Sequence, residues 1–224
     1  VWLCGQKAAE EQGDTTAKMY GIAIDIGTTT VVASLVDLHD GKELLSMSCL
    51  NSQKVFGQDV ITRINFAMTH DRGTWAQQKT ITKDLQTLIQ GIYDEFNKTG
   101  EICANDVYDV TVGANNTMIH LLVGADPSSM GTAPYLPAFE GPQIVNGVKD
   151  LGLPVNPLCQ VYCVPAVSSF VGGDITAGVL ACGVHKKKDN VLFIDIGTNG
   201  EMVLSRGGRL CGCSCAAGPA LEGM

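Results

Sequence analysis

Gly21-Ile22-Ala23-Ile24-Asp25-Ile26-Gly27-Thr28-Thr29-Thr30 and Val191-Leu192-Phe193-Ile194-Asp195-Ile196-Gly197-Thr198-Asn199-Gly200 are two copies of one pattern. Each is an apolar run that ends in Asp-Ile-Gly-Thr and turns into a second strand-like run. A short apolar run bounded by turn residues reads as a buried strand. A single Asp-x-Gly-Thr occurs in many ordinary turns. Two copies in matching contexts are a repeat, and a repeat predicts two similar structural units.

The residue types suit a phosphate clamp. A buried strand carries one carboxylate, Asp25 or Asp195, to its tip, where it can hold a hydrated Mg²⁺ that prefers oxygen and keeps its waters. Gly27 and Gly197 let an anion approach the backbone. The N–H groups and hydroxyls of Thr28, Thr29, Thr30, Thr198, Asn199 and Gly200 then offer donors to phosphate oxygens. The plain alternative is that both aspartates only order hairpin turns, and the double occurrence argues against it. Val171-Gly172-Gly173-Asp174-Ile175-Thr176-Ala177-Gly178 adds a third carboxylate, Asp174, in the first turn of a helix just before the second copy. Alone, that aspartate reads as a favourable N-terminal helix residue. Between two phosphate hairpins it becomes a candidate to orient an attacking water.

Working outward, order begins at Tyr20 after a polar stretch over residues 1–18 that reads as a tail or linker. Strands over Gly21–Ile26, Val31–Val36 and Leu44–Met47 follow, with Asp40-Gly41 as a hairpin turn. From Gln58 the period changes. Val60, Ile61, Ile64 and Met68 fall on one helical face, and Ile81, Leu85, Leu88, Ile92 and Phe96 on another. Val107–Gly113 reads as a strand, Thr117–Val123 as a short helix and Val161–Val164 as a strand. Asp174–Gly183 reads as an apolar helix, and residues 126–157, rich in Pro and Gly, as mostly loop. The order is βββαβαβα, and a new βββ opens at Val191. Residues 19–189 are thus expected to form a first subdomain and 190–224 the start of a second.

With 224 residues, 45% hydrophobic and 17% charged, the chain can bury a substantial core. Its 23 acidic and 15 basic side chains give a net charge of −8, which argues against nucleic acid as the partner. Lys186-Lys187-Lys188 is the sole basic run and reads as a solvated loop. No apolar stretch approaches the roughly 18 residues of a membrane span, and no signal peptide opens the chain. Nine cysteines, most among apolar neighbours, suit a reducing cytosol. Cys211, Cys213 and Cys215 alternate, lack the spacing of common zinc or ferredoxin sites, and are expected to pack in the core near the cleft. His120 reads as a satisfied core histidine. Arg63 reads equally as a phosphate contact or a surface salt bridge. No P-loop, Ser/His/Asp order or zinc spacing is present. The chain starts at Val1 and stops directly after Gly-Pro-Ala-Leu-Glu-Gly, and the expectation is that it is part of a longer protein.

Asp25–Thr30, Gly172–Gly178 and Asp195–Gly200 together resemble the phosphate-1, connecting-helix and phosphate-2 motifs of the superfamily of acetate and sugar kinases, heat-shock chaperone ATPases and actin. That resemblance implies an α/β, ribonuclease-H-like (actin-like ATPase) fold with a second, incomplete copy. It also implies ATP as ligand, Asp25 and Asp195 on Mg²⁺ through water, and Asp174 on the hydrolytic water. Three further stretches narrow it: Asn51-Ser52-Gln53 with Phe56-Gly57-Gln58-Asp59-Val60-Ile61-Thr62-Arg63-Ile64; Val112-Gly113-Ala114-Asn115-Asn116-Thr117-Met118-Ile119-His120-Leu121-Leu122; and Cys215-Ala216-Ala217-Gly218-Pro219-Ala220-Leu221-Glu222-Gly223. From Tyr20 onward the chain resembles the reductive activators of corrinoid proteins, cytoplasmic Mg-dependent ATPases that return Co(II) corrinoid to Co(I). The implied partner is a corrinoid protein of a methyltransferase system, and a homodimer is compatible. The family's [2Fe–2S] domain lacks its cysteine motif here, since Cys4 alone cannot supply it, and the adenosine motif is missing. Three strands from Val191 without covering helices are expected to expose an apolar face. Three other readings stay open: an activator of the radical dehydratase type, a small-molecule kinase of the superfamily, and a non-catalytic nucleotide-gated scaffold.

Overall fold

Strand β1 (Tyr20–Ile26) buries Ile22, Ile24 and Ile26 and turns Ala23 and Asp25 to its other side, as the two-residue period of a strand requires. It is a central strand of a six-stranded sheet. The computed structural model describes residues 2–3, 6–7, 10–11 and 13–216. Cys4 and the stretch from Ala217 to Gly223 therefore lie outside the described residues. Strands β2 (Thr30–Asp37), β3 (Glu43–Leu50), β4 (Val107–Ala114), β5 (Gln143–Asn146) and β6 (Gln160–Cys163) complete the sheet in the order β3-β2-β1-β4-β6-β5. β1 runs antiparallel to β2 and parallel to β4, and β4 runs parallel to β6. The β2–β3 turn is the expected Asp-Gly hairpin, with Gly41 at φ +75.

The segment over residues 126–157 is mostly loop, as expected, and the four-residue β5 within it pairs antiparallel with β6 at the sheet edge. Helix α1 (Val60–Thr69) buries Arg63 and Ile64, whereas Ile61 and Met68 are exposed. Of its apolar stripe only Ile64 is fully buried, and a hydrogen-bonded guanidinium shares the inner position. Helix α2 (Gly73–Phe96) behaves as its period predicts, burying Ile81, Leu85, Leu88 and Ile92 against the sheet, with Phe96 edge-on to Tyr20. Part of the expected tail is anchored. The Glu11 carboxylate accepts hydrogen bonds from Tyr108 Oη (2.8 Å) and Asn156 Nδ2 (3.1 Å).

Helix α3 (Asn116–Val123) carries His120, which is fully buried. Its Nδ1–H donates to the Asn116 carbonyl at 2.8 Å, its Nε2 accepts from the Ala138 N–H at 3.0 Å, and its ring stacks on Phe139. That is the satisfied core histidine expected, and it is held in one neutral tautomer. Burial pulls its pKa below the ordinary 6.5. The unfolded chain therefore takes up a proton first, and stability falls as the pH drops below about 6.5. Between pH 7.5 and 5.5 the difference in urea midpoint, wild type minus His120→Gln, should fall as the pH drops, because the glutamine stays neutral while all other titrating groups are shared. Equal slopes would overturn this reading.

Helix α4 (Gly173–Ala181) covers the face of the sheet that carries Asp25 and joins it to a second, three-stranded sheet of β7 (Val191–Ile196), β8 (Asn199–Arg206) and β9 (Arg209–Ala216). Val171, Ile175, Val179, Val184 and Val203 form a small core there with Val191 and Phe193. The outer face of this sheet is apolar and exposed as expected, with Leu192, Ile194, Ile196 and Leu204 on it. Cys211, Cys213 and Cys215 share that face by register, and all three are exposed. The expectation of core packing for them fails, because no described element covers the strands. Cys103 and Cys182 are exposed as well, whereas burial pushes the Cys159 and Cys163 thiols up to about 12. Among the described residues no helix is long and apolar enough to cross a membrane.

Candidate active site

Register brings the three predicted aspartates together. Asp25 lies beside Gly113 of β4. The first turn of α4 packs over Gly113: a Cβ there would sit in ordinary van der Waals contact with Asp174 Cα, at 3.7 Å. Gly172 caps α4 in an extended conformation, and the Asp174 Oδ1 accepts from the Ile175 N–H at 2.8 Å. Further along α4, Gly178 leaves room for the Phe193 ring, which a Cβ would meet at 2.7 Å. This contact seats β7, and with it Asp195, against the same helix. The tips of the two hairpins touch, with Thr29 Oγ1 and Thr198 Oγ1 3.5 Å apart.

The repeated turns are not identical. Gly27 N–H donates to the Thr30 carbonyl at 2.9 Å, whereas Gly197 N–H donates to the Asn199 carbonyl at 3.0 Å, so the second turn is one residue tighter. Asp25 consequently faces Val32 across its hairpin, but Asp195 faces Glu201. Glu201 is a fourth carboxylate that the motif comparison does not reveal. The alternation of β8 could have found it, since register places it on the same side of the sheet as Asp195. It accepts a hydrogen bond from Ser214 Oγ at 3.2 Å.

These groups feel one another. Burial pushes the Asp174 carboxyl up to about 6, and the charges of Asp25 and Asp195 add to that shift against the hydrogen bond from Ile175. Burial raises Asp25 as well, with Asp195 contributing. Glu201 is pushed up to about 7, first by burial, then by Asp174 and Asp195, with its Ser214 hydrogen bond opposing. Among the described residues no Lys or Arg forms an ion pair with any of the four. A crowd of carboxylates without a cation repels a bare polyphosphate, so the donor set fits a ligand that arrives with a divalent metal. No group of three His, Cys, Asp or Glu side chains converges as a direct metal site among the described residues. Two facing carboxylates suit a hydrated Mg²⁺ held through water.

The remaining predicted residues divide by position. Thr198 and Asn199 line a cleft of about 710 Å³ together with Glu201, Asn115 and Thr117. Thr28 is buried, and its Oγ1 accepts from Asn115 Nδ2 at 3.3 Å. Thr30 is exposed at the start of β2, and Gly27 closes the first turn. Gly200 is not in the turn: it is buried within β8 opposite Ile196.

Behind the first turn lies a buried polar network that sequence reading did not foresee. Asn51 Nδ2 donates to the Gly27 carbonyl at 2.8 Å and Asn51 N–H to the Thr29 carbonyl at 2.8 Å. Arg63 Nη2 donates to the Thr28 carbonyl at 2.6 Å and Nε to the Gly57 carbonyl at 2.9 Å. Gln53, in the 3₁₀ turn Ser52–Val55, and Gln77 of α2 tie that turn to the two helices, Gln53 Nε2 donating to the Gln77 carbonyl and Gln77 Nε2 to the Arg63 carbonyl. Arg63 is therefore no surface salt bridge, and it reaches the backbone of the turn rather than the open cleft. Its polar, hydrogen-bonded position on α1 left no mark in the apolar period.

The comparisons follow this geometry. A family model described as the RACo middle region matches residues 20–187. The chain belongs to the RACo family. A second model, described as the C-terminal domain of RACo, the ASKHA domain, matches residues 189–224. A solved RACo-type structure, a reductive activator for a corrinoid, iron–sulfur protein, superposes with a TM-score of 0.89 at 40% identity over 94% of this chain and 33% of its own. The corrinoid activation enzyme RamQ of Eubacterium limosum is 38% identical over 205 residues, 92% of this chain and 33% of RamQ. The [Co(II) methylated amine-specific corrinoid protein] reductase of Methanosarcina barkeri is 26% identical over 92% of this chain and 38% of its own length. The chain thus spans about a third of the length of these relatives. Its fold is the actin-like ATPase fold of the ASKHA domain, as the motifs imply.

Proposed function

We propose that this chain is the ATP-binding and ATP-hydrolysing region of a reductive activator that returns Co(II) corrinoid proteins of a methyltransferase system to Co(I). The observation that carries the reading is the convergence of Asp25, Asp174 and Asp195 beneath two touching Gly-Thr turns, in a chain of the RACo family. The turns at Gly27–Thr30 and Gly197–Asn199 would take the phosphates between them. Asp25 and Asp195 would hold Mg²⁺ through water, and the metal would neutralise charge on the phosphate oxygens. Asp174, at the start of a rigid helix, would orient a water in line with the terminal phosphorus and receive its proton. Glu201 would help to fix the water shell opposite Asp195. In this reading residues 19–189 are a first subdomain and 190–224 open a second. Hydrolysis would move one against the other and alter the partner's cobalt environment, with electrons from a [2Fe–2S] domain of the kind the family resemblance implies.

The test uses the intact protein under anaerobic conditions, with and without a corrinoid protein in its Co(II) state. Mg-ATP turnover is expected to rise with the corrinoid protein, and the Co(I) spectrum to appear with added reductant. Both should be lost in Asp195→Asn, by about a hundredfold or more. Turnover indifferent to the corrinoid protein would leave an ATPase and remove the partner.

A further inference from the structure

Arg63 is fully buried, and among the described residues no carboxylate forms an ion pair with it. Its four partners are the Gly57 and Thr28 carbonyls, the Gln53 Oε1 at 3.5 Å and the Met118 sulfur at 3.2 Å. The carboxylate whose charge acts on it is Asp59, the exposed N-cap of α1, whose Oδ1 accepts from the Thr62 N–H at 2.8 Å. Burial lowers the Arg63 pKa to about 10, which leaves it cationic at neutral pH. A buried cation without an anion is expensive.

The first turn explains what the charge faces. Each of its carbonyls is occupied: Gly27 and Thr29 by Asn51, Thr28 by Arg63, and Thr30 by the Gly27 N–H. The backbone acceptors are thus tied to partners inside the protein. We infer that Arg63 is a positioning residue of the phosphate turn, which pins the Thr28 carbonyl behind it and whose buried charge is compensated by the polyphosphate that the turn takes up. The inference rests on the reading of this cleft as a nucleotide site. The guanidinium is fully buried and bonds the Thr28 carbonyl, so Arg63 acts through the turn and does not touch the reacting atoms. It acts on ground state and transition state alike, and its removal raises KM rather than lowering kcat.

The experiment compares Arg63→Met and Arg63→Lys with wild type in the intact protein, after circular dichroism has verified folding. Hydrogen bonds to a charged group are among the stronger ones, so Arg63→Met should weaken Mg-ATP binding about tenfold to a hundredfold and raise KM equally, with kcat within about threefold. Arg63→Lys keeps the charge without the planar fork and should recover most of the lost affinity. A folded Arg63→Met with wild-type affinity, or Met and Lys variants that are equally weak, would overturn the inference. A measurement on the unaltered protein stands beside these should Arg63→Met not fold. The Arg63 Nε–H resonance of arginine-labelled protein should shift on saturation with Mg-ATP, and an unmoved resonance would overturn the inference too. Wild type that binds no Mg-ATP at all would remove the nucleotide reading itself, a result recognisable without any variant.

Discussion

Asp174→Asn is expected to lower Mg-ATP turnover of the intact protein by about 10²–10⁴-fold, the range that a positioned acid–base group contributes, while making the nucleotide-free protein more stable. Both effects come from one placement. The first turn of α4 packs over Gly113 and sets Asp174 down beside Asp25, and Phe193 under Gly178 brings Asp195 against the same helix. The carboxyl of Asp174 titrates near 6 in the folded protein, above its ordinary 3.8. A raised carboxylate pKa favours folding only in its protonated form. That contribution is complete below about pH 3.8 and has been lost once the pH rises through 6. At pH 7.5 the ionised side chain therefore opposes folding, by an amount on the order of 3 kcal/mol, and a neutral Asn relieves it. Asn keeps an oxygen for the Ile175 N–H. The thermal midpoint without nucleotide should rise by several degrees, and the gain should vanish near pH 4. Turnover within about threefold of wild type would take Asp174 out of the chemistry. A lower midpoint at pH 7.5 would refute the crowding of these carboxylates.

Gly173→Ala should be the most damaging single change to the architecture of the site. A Cβ at Gly173 would stand 2.2 Å from the Val164 carbonyl oxygen and 3.0 Å from its carbon. That carbonyl belongs to backbone, so it cannot swing aside as a side chain would. Val164 is itself tied to the sheet through its N–H and the Val112 carbonyl at 2.9 Å. The start of α4 must lift, and it carries Asp174 away from Asp25. Overpacking of this kind typically costs about 1–3 kcal/mol, and more where the backbone must yield. Urea unfolding should show a midpoint lowered accordingly, with turnover reduced in whatever protein remains folded. Gly141→Ala is the control, because a Cβ there meets nothing within 4 Å. Equal midpoints for the two variants would mean that α4 is not pinned by this contact.

Much of the fold was legible because it follows local rules. The strand pattern of β1, the Asp-Gly hairpin, the apolar period of α2 and the repeated Asp-Ile-Gly-Thr all concern residues within a few positions of one another. Burial then acts on them as the periods predict. The apolar exterior of the β7–β9 sheet was legible for the same reason. Where the reading failed or stopped short, a distant partner had overruled the local signal. α1 presents Arg63 inward instead of Ile61 and Met68, because the carbonyl of Thr28 offers a hydrogen bond that no helical period records. Cys211, Cys213 and Cys215 look like core residues by composition, but nothing described stands over their strand. β5 is four residues in a Pro- and Gly-rich stretch, and only pairing with β6 makes it a strand.

The sequence by itself determined that two Asp-Ile-Gly-Thr turns and one helix-borne aspartate exist, and that they belong to an α/β fold of actin-like type. Local order and side-chain chemistry give the turns and the α/β pattern, and the resemblance carried by the motifs implies the actin-like type. Tertiary structure decided which groups meet. It set Asp174 over Gly113, tightened the second turn by one residue so that Glu201 faces Asp195, and placed a buried guanidinium behind the first turn. Those outcomes depend on strand register and on the close approach of helix to sheet, which are settled by packing between residues far apart in the chain.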